Sequence, residues 1–229
     1  MKSEGSVKII AYSDSAFKDR IESGRLLAKE LMNLRGQNTI VLGIPRGGVI
    51  VANELARLLE ADLDVVLTRK IGAPGNPELA IGAVSEDGSL FIDDLIASRL
   101  DAKSSYIQEE KSRQMQEIER RKTQYRGILP KAPLKEKIVI VTDDGIATGA
   151  TMQASLWSIR REDPKKIIAA IPVAPEEETL KRMAKYADEV ICLRLPSFFS
   201  AVGQFYYHFT QTEDEEVLEI LRQANERKK

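Results

Sequence analysis

The stretch from residue 137 to residue 151, K-I-V-I-V-T-D-D-G-I-A-T-G-A-T, constrains the fold more than any other part of the chain. Its apolar run Ile138–Val141 predicts a buried strand of a parallel sheet. Asp143 and Asp144 follow at the carboxyl end of that strand. The small residues of Gly145–Thr151 then lead into a helix, so the stretch predicts an α/β fold with a loop and helix N-terminus suited to hold a phosphate.

The two neighbouring acids indicate what else such a loop binds. Carboxylates accept hydrogen bonds from vicinal hydroxyls and reach hydrated magnesium. The plainer alternative is an ordinary strand-to-helix turn built from Gly and Thr. Because adjacent acids repel each other unless a cation or a hydroxyl partner is present, Asp143 and Asp144 favour a ligand site over that alternative.

Composition limits the other classes of function. A length of 229 residues suits a single α/β domain with insertions, here expected over 1–229. The net charge of −1 argues against a protein that coats nucleic acid or an anionic membrane. We find no apolar run of bilayer length and no apolar region of a signal peptide at the N-terminus, so we expect a cytoplasmic protein.

Cysteine and histidine are too scarce for several kinds of site. With one Cys, Cys192, and one His, His208, a structural zinc site of the usual type is excluded. A single cysteine also excludes an internal disulfide, which fits a reducing compartment. We expect Cys192 to be a buried thiol and His208 to be structural or at the surface. Carboxylates, cations and backbone N–H groups must therefore carry any chemistry.

A second candidate loop, P-R-G-G at Pro45–Gly48, follows the apolar strand predicted over 39–44 and precedes a helix predicted over 49–59. In an open α/β sheet such a loop faces the ligand crevice. Its glycines permit a close backbone approach, and the guanidinium of Arg46 suits phosphate oxygens. The alternative is a simple turn with a solvated arginine.

A third strand, predicted over 63–67, delivers Arg69 and Lys70 to the same edge of the sheet. The following residues 71–82 are rich in Gly and Pro, which predicts a mobile loop. The alternative is a plain β-connection with two exposed cations. Residues 81–84 and 89–92 flank S-E-D-G, which predicts a hairpin with Gly88 at positive φ.

The remaining segments predict a terminal strand, flanking helices and an insertion. Residues 7–12 predict a strand, and residues 14–34 an amphipathic helix capped by Asp14 or Ser15. A long polar helix is predicted near 102–126, and its apolar positions are sparse. Such a helix either projects into solvent or packs along a narrow stripe against a second copy, and from the second possibility we expect a homo-oligomer. Its basic residues Arg120, Arg121, Lys122 and Arg126 are explained by the helix dipole, or alternatively by a nucleotide-facing or subunit-facing patch.

Aromatic residues concentrate in 197–210. A nucleobase stacked on an aromatic ring gains about 1–3 kcal/mol in nucleic-acid complexes, which makes these rings candidates for base binding. The alternative is that they anchor the C-terminal helix to the core, and both are open for different rings. The candidate base-binding residues are Phe198, Phe199, Phe205 and Tyr206.

The apolar strand followed by D-D-G-I-A-T-G-A-T resembles the phosphoribosyl-pyrophosphate (PRPP) motif of the type I phosphoribosyltransferases, here Val139–Thr151. The resemblance implies an α/β fold, in which helices flank a central, mostly parallel sheet. It implies a core over about 37–195 and a small hood built from about 1–35 and 196–229. The segment 94–127 is then a helical insertion.

The resemblance also implies an activity: transfer of a phosphoribosyl group from PRPP to a nitrogenous acceptor, with Mg²⁺ and release of pyrophosphate. The 71–82 segment is then a flap that closes over PRPP, and the Pro45–Arg46 peptide is cis. Asp143 and Asp144 reach the metal through water or PRPP. The implied catalytic residues are Arg46, Arg69, Lys70, Asp143 and Asp144. The implied PRPP-binding residues are Pro45, Arg46, Gly47, Gly48, Asp143, Asp144, Gly145, Ile146, Ala147, Thr148, Gly149, Ala150 and Thr151.

One departure bears on the acceptor. Ala147 stands where hypoxanthine-guanine enzymes carry an acid that contacts the purine, which weakens a 6-oxopurine role. The motif is closer to that of adenine enzymes, but the segments 71–82, 94–127 and 197–210 depart from them. The chain resembles a poorly characterised bacterial and archaeal subgroup. The partners implied are small molecules, with neither nucleic acid nor membrane. The alternative is a PRPP- or nucleotide-sensing regulatory protein that retains the fold without turnover, although Arg69, Lys70 and the flap favour an enzyme.

Overall fold

The structure, a computed structural model, describes residues 5–227. Its strands are β1 (Ser6–Tyr12), β2 (Thr39–Gly43), β3 (Asp62–Val65), β4 (Thr68–Ala73), β5 (Asn76–Ser85), β6 (Leu90–Ile92), β7 (Ile138–Thr142), β8 (Lys166–Val173) and β9 (Glu189–Leu195). Its α-helices are α1 (Arg20–Glu30), α2 (Gly47–Leu59), α3 (Asp94–Arg99), α4 (Ser104–Arg126), α5 (Ala150–Arg160), α6 (Glu177–Ala184) and α7 (Asp214–Arg227).

A parallel six-stranded sheet forms the centre, in the order β1-β9-β8-β7-β2-β3. Alternate side chains of β7 enter opposite layers, as the pleat requires. Val139 and Val141 pack with Met152 of α5 and Leu180 of α6. Ile138 and Ile140 pack in the other layer with residues of α1 and α2. Burial on both faces explains why the strand is a continuous apolar run, and it confirms the predicted fold class.

The strand order places a topological switch point between β2 and β7. From β2 the chain proceeds to β3 at one edge, whereas from β7 it proceeds through β8 and β9 toward the other edge. Crossover helices on opposite faces leave a crevice at such a point, outside the carboxyl ends of the strands. The loops that follow β2 and β7 are Pro45–Gly48 and 143–149, so both candidate loops meet at this crevice.

The segment 71–82 is an ordered hairpin and not the irregular loop that its Gly and Pro content predicts. β4 pairs antiparallel with β5, and β5 pairs with β6, which forms a second sheet of three strands. Ile71 and Ile81 are fully buried, and this burial outweighs the local turn preference. Only the tip is open, since residues 75–79 are exposed. Gly88 has φ +80° in the predicted β5–β6 turn.

The polar helix α4 neither projects into solvent nor needs a second copy to cover its apolar stripe. Its buried Ile118 and Tyr125 pack with Ile71 of the hairpin and Val217 of α7 within the same chain. Arg126 is not explained by the helix dipole, because its guanidinium donates hydrogen bonds to Asp64 and Glu86 in the interior. The predicted homo-oligomer therefore has no support from this helix and stays a prediction.

The two terminal regions meet over the carboxyl edge of the sheet. β1, expected in the hood, instead pairs with β9 as an edge strand of the central sheet. The helix predicted over 14–34 begins only at Arg20, with Asp19 as its N-cap, because residues before it pair with the C-terminal stretch. The Phe17 N–H donates to the carbonyl of Phe205 at 2.7 Å, and the Tyr207 N–H donates to the carbonyl of Phe17 at 2.8 Å.

Among the helices within residues 5–227, none has the length and apolar character of a membrane span. Cys192 is fully buried in β9, as predicted, and burial raises the pKa of its thiol to about 12. His208 is exposed, also as predicted.

Candidate functional site

The glycine loop, Pro45–Gly48, packs directly on the acid pair, Asp143 and Asp144. A Cβ atom on Gly47 would lie 2.1 Å from Oδ2 of Asp144, and one on Gly48 would lie 2.8 Å from Cα of Asp143. Glycine is therefore required for the close approach of the two loops. The Pro45–Arg46 peptide is cis, as the resemblance implies. The predicted juxtaposition of the glycine loop and the acid pair is confirmed.

Arg20 is a member of this site that has no signal in the sequence. Its Nε atom donates to Oδ2 of Asp144 at 2.8 Å, and its Nη1 atom donates to the carbonyl of Thr210 at 2.9 Å. Its guanidinium lies 4.0 Å from the ring centroid of Phe209. The arginine thus joins the acid pair to the C-terminal stretch. It opens α1, more than a hundred residues before Asp144, and only the tertiary fold brings the two together.

Burial and mutual repulsion shape the protonation of the acid pair. Burial, followed by the charge of Asp144, raises the pKa of Asp143 well above its usual range, although N–H groups of Asp144 and Gly48 oppose the shift. Burial also raises the pKa of Asp144, against the ion pair with Arg20. The pair therefore gains from a ligand that supplies hydroxyl donors or a cation.

The raised pKa of Asp143 makes stability depend on pH. Protonated Asp143 contributes favourably to the free energy of unfolding. This contribution is fully present below the ordinary carboxyl pKa of 3.8 and is lost as the pH rises through the higher pKa of the folded state. Asp143→Asn removes this pH-dependent loss of stability, because an amide does not ionise. We expect the substitution to increase the free energy of unfolding at about pH 7.5 and to have less effect at about pH 5, as measured by urea denaturation. An effect that is equal at both pH values would contradict the assigned shift.

The phosphate loop, Gly145–Thr151, leads into α5, and the Ala150 N–H at the start of this helix donates to Oγ1 of Thr148 at 3.3 Å. Gly149 adopts φ +75° at the helix N-cap, a conformation that favours glycine. Ala147, Thr148 and Thr151 are exposed. The first N–H groups of a helix have no partner within the helix, so this end can receive an anion. Arg182 of α6 is a further cation here that has no sequence signal, since its Nη2 atom donates to the carbonyl of Thr148 at 3.1 Å.

Arg69 and Lys70 of the hairpin lie beside the phosphate loop. Together with Thr151 of the phosphate loop they line a cavity of ≈ 130 Å³. Nε of Arg69 donates to Oε1 of Gln114 in α4 at 3.0 Å, and Nζ of Lys70 lies 3.0 Å from Oε1 of Glu78. α4 therefore forms one wall of the site, a role that its composition does not indicate.

A larger open cavity of ≈ 430 Å³ borders the glycine loop at Arg46 and Gly47. Its size falls in the usual range for small-molecule sites. Arg46 lines it, and Nη1 of this arginine lies 3.5 Å from Oε2 of Glu213. The Thr212 hydroxyl is buried and lacks a hydrogen-bond partner within the described residues 5–227. The cavity is lined by Arg20, Arg46, Gly47, Phe209, Thr210, Gln211 and Thr212.

The structure corrects part of the base-binding prediction. Phe205 and Tyr206 are 1% and 6% exposed, so neither ring has an open face for a base. Tyr206 instead donates its hydroxyl to the carbonyl of Asp144. Phe199 stacks on Phe205 with ring centroids 5.4 Å apart, and the exposed Phe198 does not line the cavity. These aromatics mainly anchor the C-terminal stretch, and the ring that lines the cavity is Phe209, which was not selected from the sequence.

Comparison with known proteins gives consistent matches. The family model of the phosphoribosyl transferase domain matches residues 15–93 and 83–210. A protein of Mycobacterium tuberculosis H37Rv named "Putative phosphoribosyl transferase Rv0571c" is 44% identical over 211 residues, which are 91% of this chain and 47% of that protein. The protein TT1426 from Thermus thermophilus, known from a crystal structure, is 45% identical in sequence to this chain. The two structures match with a TM-score of 0.85, over 91% of this chain and 98% of that chain.

The chain spans about half the length of the mycobacterial relative, 47% of it. The family match nevertheless covers strands β2 to β9, both candidate loops and the paired segments around Phe17 and Phe205. The chain therefore belongs to the phosphoribosyl transferase family of enzymes.

Proposed function

We propose that this chain transfers the phosphoribosyl group of PRPP to a nitrogen acceptor and releases pyrophosphate. The observation that carries the proposal is the packing of the glycine loop on the acid pair at the switch point, with the phosphate loop directly after the acids. This arrangement offers one set of groups for a ribose phosphate and another for a diphosphate, in a single crevice.

The ribose-phosphate half is formed by the acid pair and the phosphate loop. Asp143 and Asp144 accept hydrogen bonds from the ribose hydroxyls, which relieves the mutual repulsion of the two carboxylates. The 5′-phosphate binds N–H groups of the first turn of α5 and the hydroxyls of Thr148 and Thr151. Arg20 holds Asp144 in position through the 2.8 Å ion pair.

The diphosphate half is formed by cations. As the bond from the ribose carbon to pyrophosphate breaks, positive charge develops on the ribose ring and negative charge on the leaving group. Arg46, Arg69 and Lys70 stabilise the leaving group electrostatically. In this proposal the exposed hairpin tip, residues 75–79, closes over the ligand and excludes water.

Magnesium fits this site as a companion of PRPP. Within residues 5–227 there is no group of three or more His, Cys, Asp or Glu side chains arranged to hold a metal. Asp144 is already paired with Arg20, and Asp143 accepts the Asp144 N–H at 2.9 Å. The acids therefore reach the ion through water or through PRPP, as Mg²⁺ commonly binds with phosphates and waters. When bound, Mg²⁺ neutralises charge on the diphosphate.

The acceptor is proposed to bind in the ≈ 430 Å³ cavity. Phe209, which is 39% exposed, offers an apolar face, and the buried hydroxyl of Thr212 offers an unused hydrogen bond. A planar nitrogenous acceptor with at least one polar edge suits these two groups.

The test is a screen of purines, pyrimidines, amides and amines with PRPP and Mg²⁺, in which pyrophosphate release is measured. The proposal predicts acceptor-dependent release for at least one class. The matched variant Phe209→Ala is expected to raise the KM for that acceptor more than the KM for PRPP. PRPP binding without turnover for any acceptor would favour the sensor alternative.

Gly47→Ala is expected to remove activity almost completely. The new Cβ would lie 2.1 Å from Oδ2 of Asp144 and 2.9 Å from Nε of Arg20, so the acid pair must move. A misplacement of about 1 Å costs on the order of 100-fold in rate. Gly127→Ala is the control, because its Cβ would approach no described neighbour closer than 3.3 Å. Pyrophosphate release that is equal in the two variants would contradict the assigned role of the close approach.

A further inference from the structure

The insertion helix α4 brings one more arginine to the glycine loop. Nη1 of Arg121 lies 3.5 Å from the carbonyl oxygen of Pro45, in the cis peptide that precedes Arg46. Nothing in the sequence distinguishes Arg121 from its basic neighbours Arg120 and Lys122. Only the tertiary position of α4 separates their roles.

The position of α4 is fixed by contacts along its length. At its start, the hydroxyl of Tyr106 donates to the carbonyl of Gly72 in the hairpin at 2.9 Å. At its end, the hydroxyl of Tyr125 donates to Asp214 at 3.0 Å, and Arg126 is held by Asp64 and Glu86. A side chain on such a helix is well placed for a binding role, because the backbone that carries it does not need to be ordered by the ligand.

Arg121 is poorly satisfied by the protein. Its Nε atom is buried and has no partner among residues 5–227, and its one hydrogen bond within that range is the long contact to Pro45. Its neighbours on the helix differ. Arg126 donates to two buried carboxylates, and Arg120 pairs with Asp214 and Glu117. Buried polar groups are nearly always hydrogen-bonded, so the free donor of Arg121 indicates a partner from outside the protein.

Other cations of the site lie nearby. Burial, followed by the charge of Arg121, lowers the pKa of Arg69. Burial and Asp214 raise the pKa of Tyr125 to about 12, and the charges of Arg121 and Arg46 oppose this shift. Cations that are held close together repel each other unless an anion binds between them. Arginine forks suit phosphate oxygens, and a diphosphate supplies enough oxygens for several of them.

We infer that Arg121 is a binding residue for the diphosphate of PRPP, supplied to the diphosphate half by the α4 insertion. The inference rests on the proposed function. It gives the insertion a role in the site, since Arg121 completes a set formed by Arg46 of the glycine loop and by Arg69 and Lys70 of the hairpin.

The test compares Arg121→Gln, Arg121→Lys and the neighbouring control Arg120→Gln by calorimetric titration. Each variant is titrated with Mg²⁺–PRPP, with Mg²⁺–pyrophosphate and with ribose 5-phosphate. Arg121→Gln is expected to bind PRPP and pyrophosphate about 10- to 100-fold more weakly, the usual cost of losing a hydrogen bond to a charged group. Its affinity for ribose 5-phosphate is expected to stay unchanged. Arg121→Lys should recover part of the loss, since it restores the charge without the fork.

The ligand pattern separates this role from a structural one. If Arg121→Gln binds pyrophosphate as the wild type does, or if it weakens all three ligands equally, Arg121 is not a diphosphate residue. If Arg120→Gln shows the same selective loss, the effect comes from the overall positive charge of the helix and the inference also fails. If the wild type itself binds neither PRPP nor pyrophosphate, the proposed function is wrong and the inference falls with it.

Discussion

Asp143→Asn combined with Asp144→Asn is expected to weaken PRPP binding by at least about 100-fold, because each charged acceptor contributes about 1.5–3 kcal/mol to a hydrogen bond. Both substitutions keep the size of the side chain. They also remove the buried charge and the repulsion that raise the pKa of Asp143, which favours the fold, whereas Asp144→Asn removes the counter-charge of the buried Arg20, which disfavours it. A loss of PRPP affinity in a variant that is still folded shows that the acids bind the ligand and do not only support the structure.

Calorimetric titration with Mg²⁺–PRPP measures this effect, and thermal unfolding checks the fold. Asp94→Asn is the matched control, since its carboxylate is exposed in the first turn of α3. Binding of pyrophosphate alone should fall much less than binding of PRPP, because the acids are assigned to the ribose. Unchanged PRPP affinity in the double variant would show that the ribose site has been misplaced.

Arg126→Gln is expected to produce the largest loss of stability among the substitutions considered, about 3–5 kcal/mol. The guanidinium joins α4 to Asp64 of β3 and to Glu86 just after β5, whose side chains are 2% and 9% exposed. Removing the cation leaves two buried carboxylates without their counter-charge. The result should be weaker packing of α4 on the hairpin, and therefore a weaker diphosphate half as well.

Urea denaturation measures the loss, and Arg120→Gln on the same helix is the control. Arg120 is 49% exposed in its ion pairs, so its replacement should change stability by less than about 1 kcal/mol. Replacing all three charges, with Asp64→Asn, Glu86→Gln and Arg126→Met, should recover much of the loss. A change below about 1 kcal/mol for Arg126→Gln would mean that water or other groups compensate the acids.

The elements that are proposed to bind the ribose phosphate were predictable from the sequence because their information is local. Strand β7, the acid pair and the phosphate loop occupy one continuous segment, as do β2 and the glycine loop. Two loops at the carboxyl ends of neighbouring parallel strands share an edge, and they can approach closely here because Gly47 and Gly48 have no Cβ atoms. The packing of Gly47 and Gly48 on the acids follows from those two facts.

The remaining site residues were not predictable, because their proximity depends on long-range pairing. Arg20 contacts Phe209 only because the segment around Phe17 pairs with the stretch around Phe205. Arg182 reaches Thr148 from the next crossover helix. A single arginine in an amphipathic helix gives no local sign of the carboxylate or carbonyl that it contacts.

Two segments were interpreted wrongly for a related reason. The Gly and Pro residues of 71–82 indicate a loop, but the buried Ile71 and Ile81 hold the segment as a hairpin. The polar composition of α4 indicates a solvated helix, yet Arg126 is paired with carboxylates that lie far away in the sequence. Composition cannot distinguish a solvated charge from a buried one whose partner is distant.

The central claim is that one crevice binds PRPP through two halves, one for ribose phosphate and one for diphosphate. Competition calorimetry tests it directly, with ribose 5-phosphate and Mg²⁺–pyrophosphate bound separately and then displaced by Mg²⁺–PRPP. The account predicts that PRPP binds one site per chain and displaces both smaller ligands. PRPP that fails to bind, or that displaces only one of the two, would contradict it.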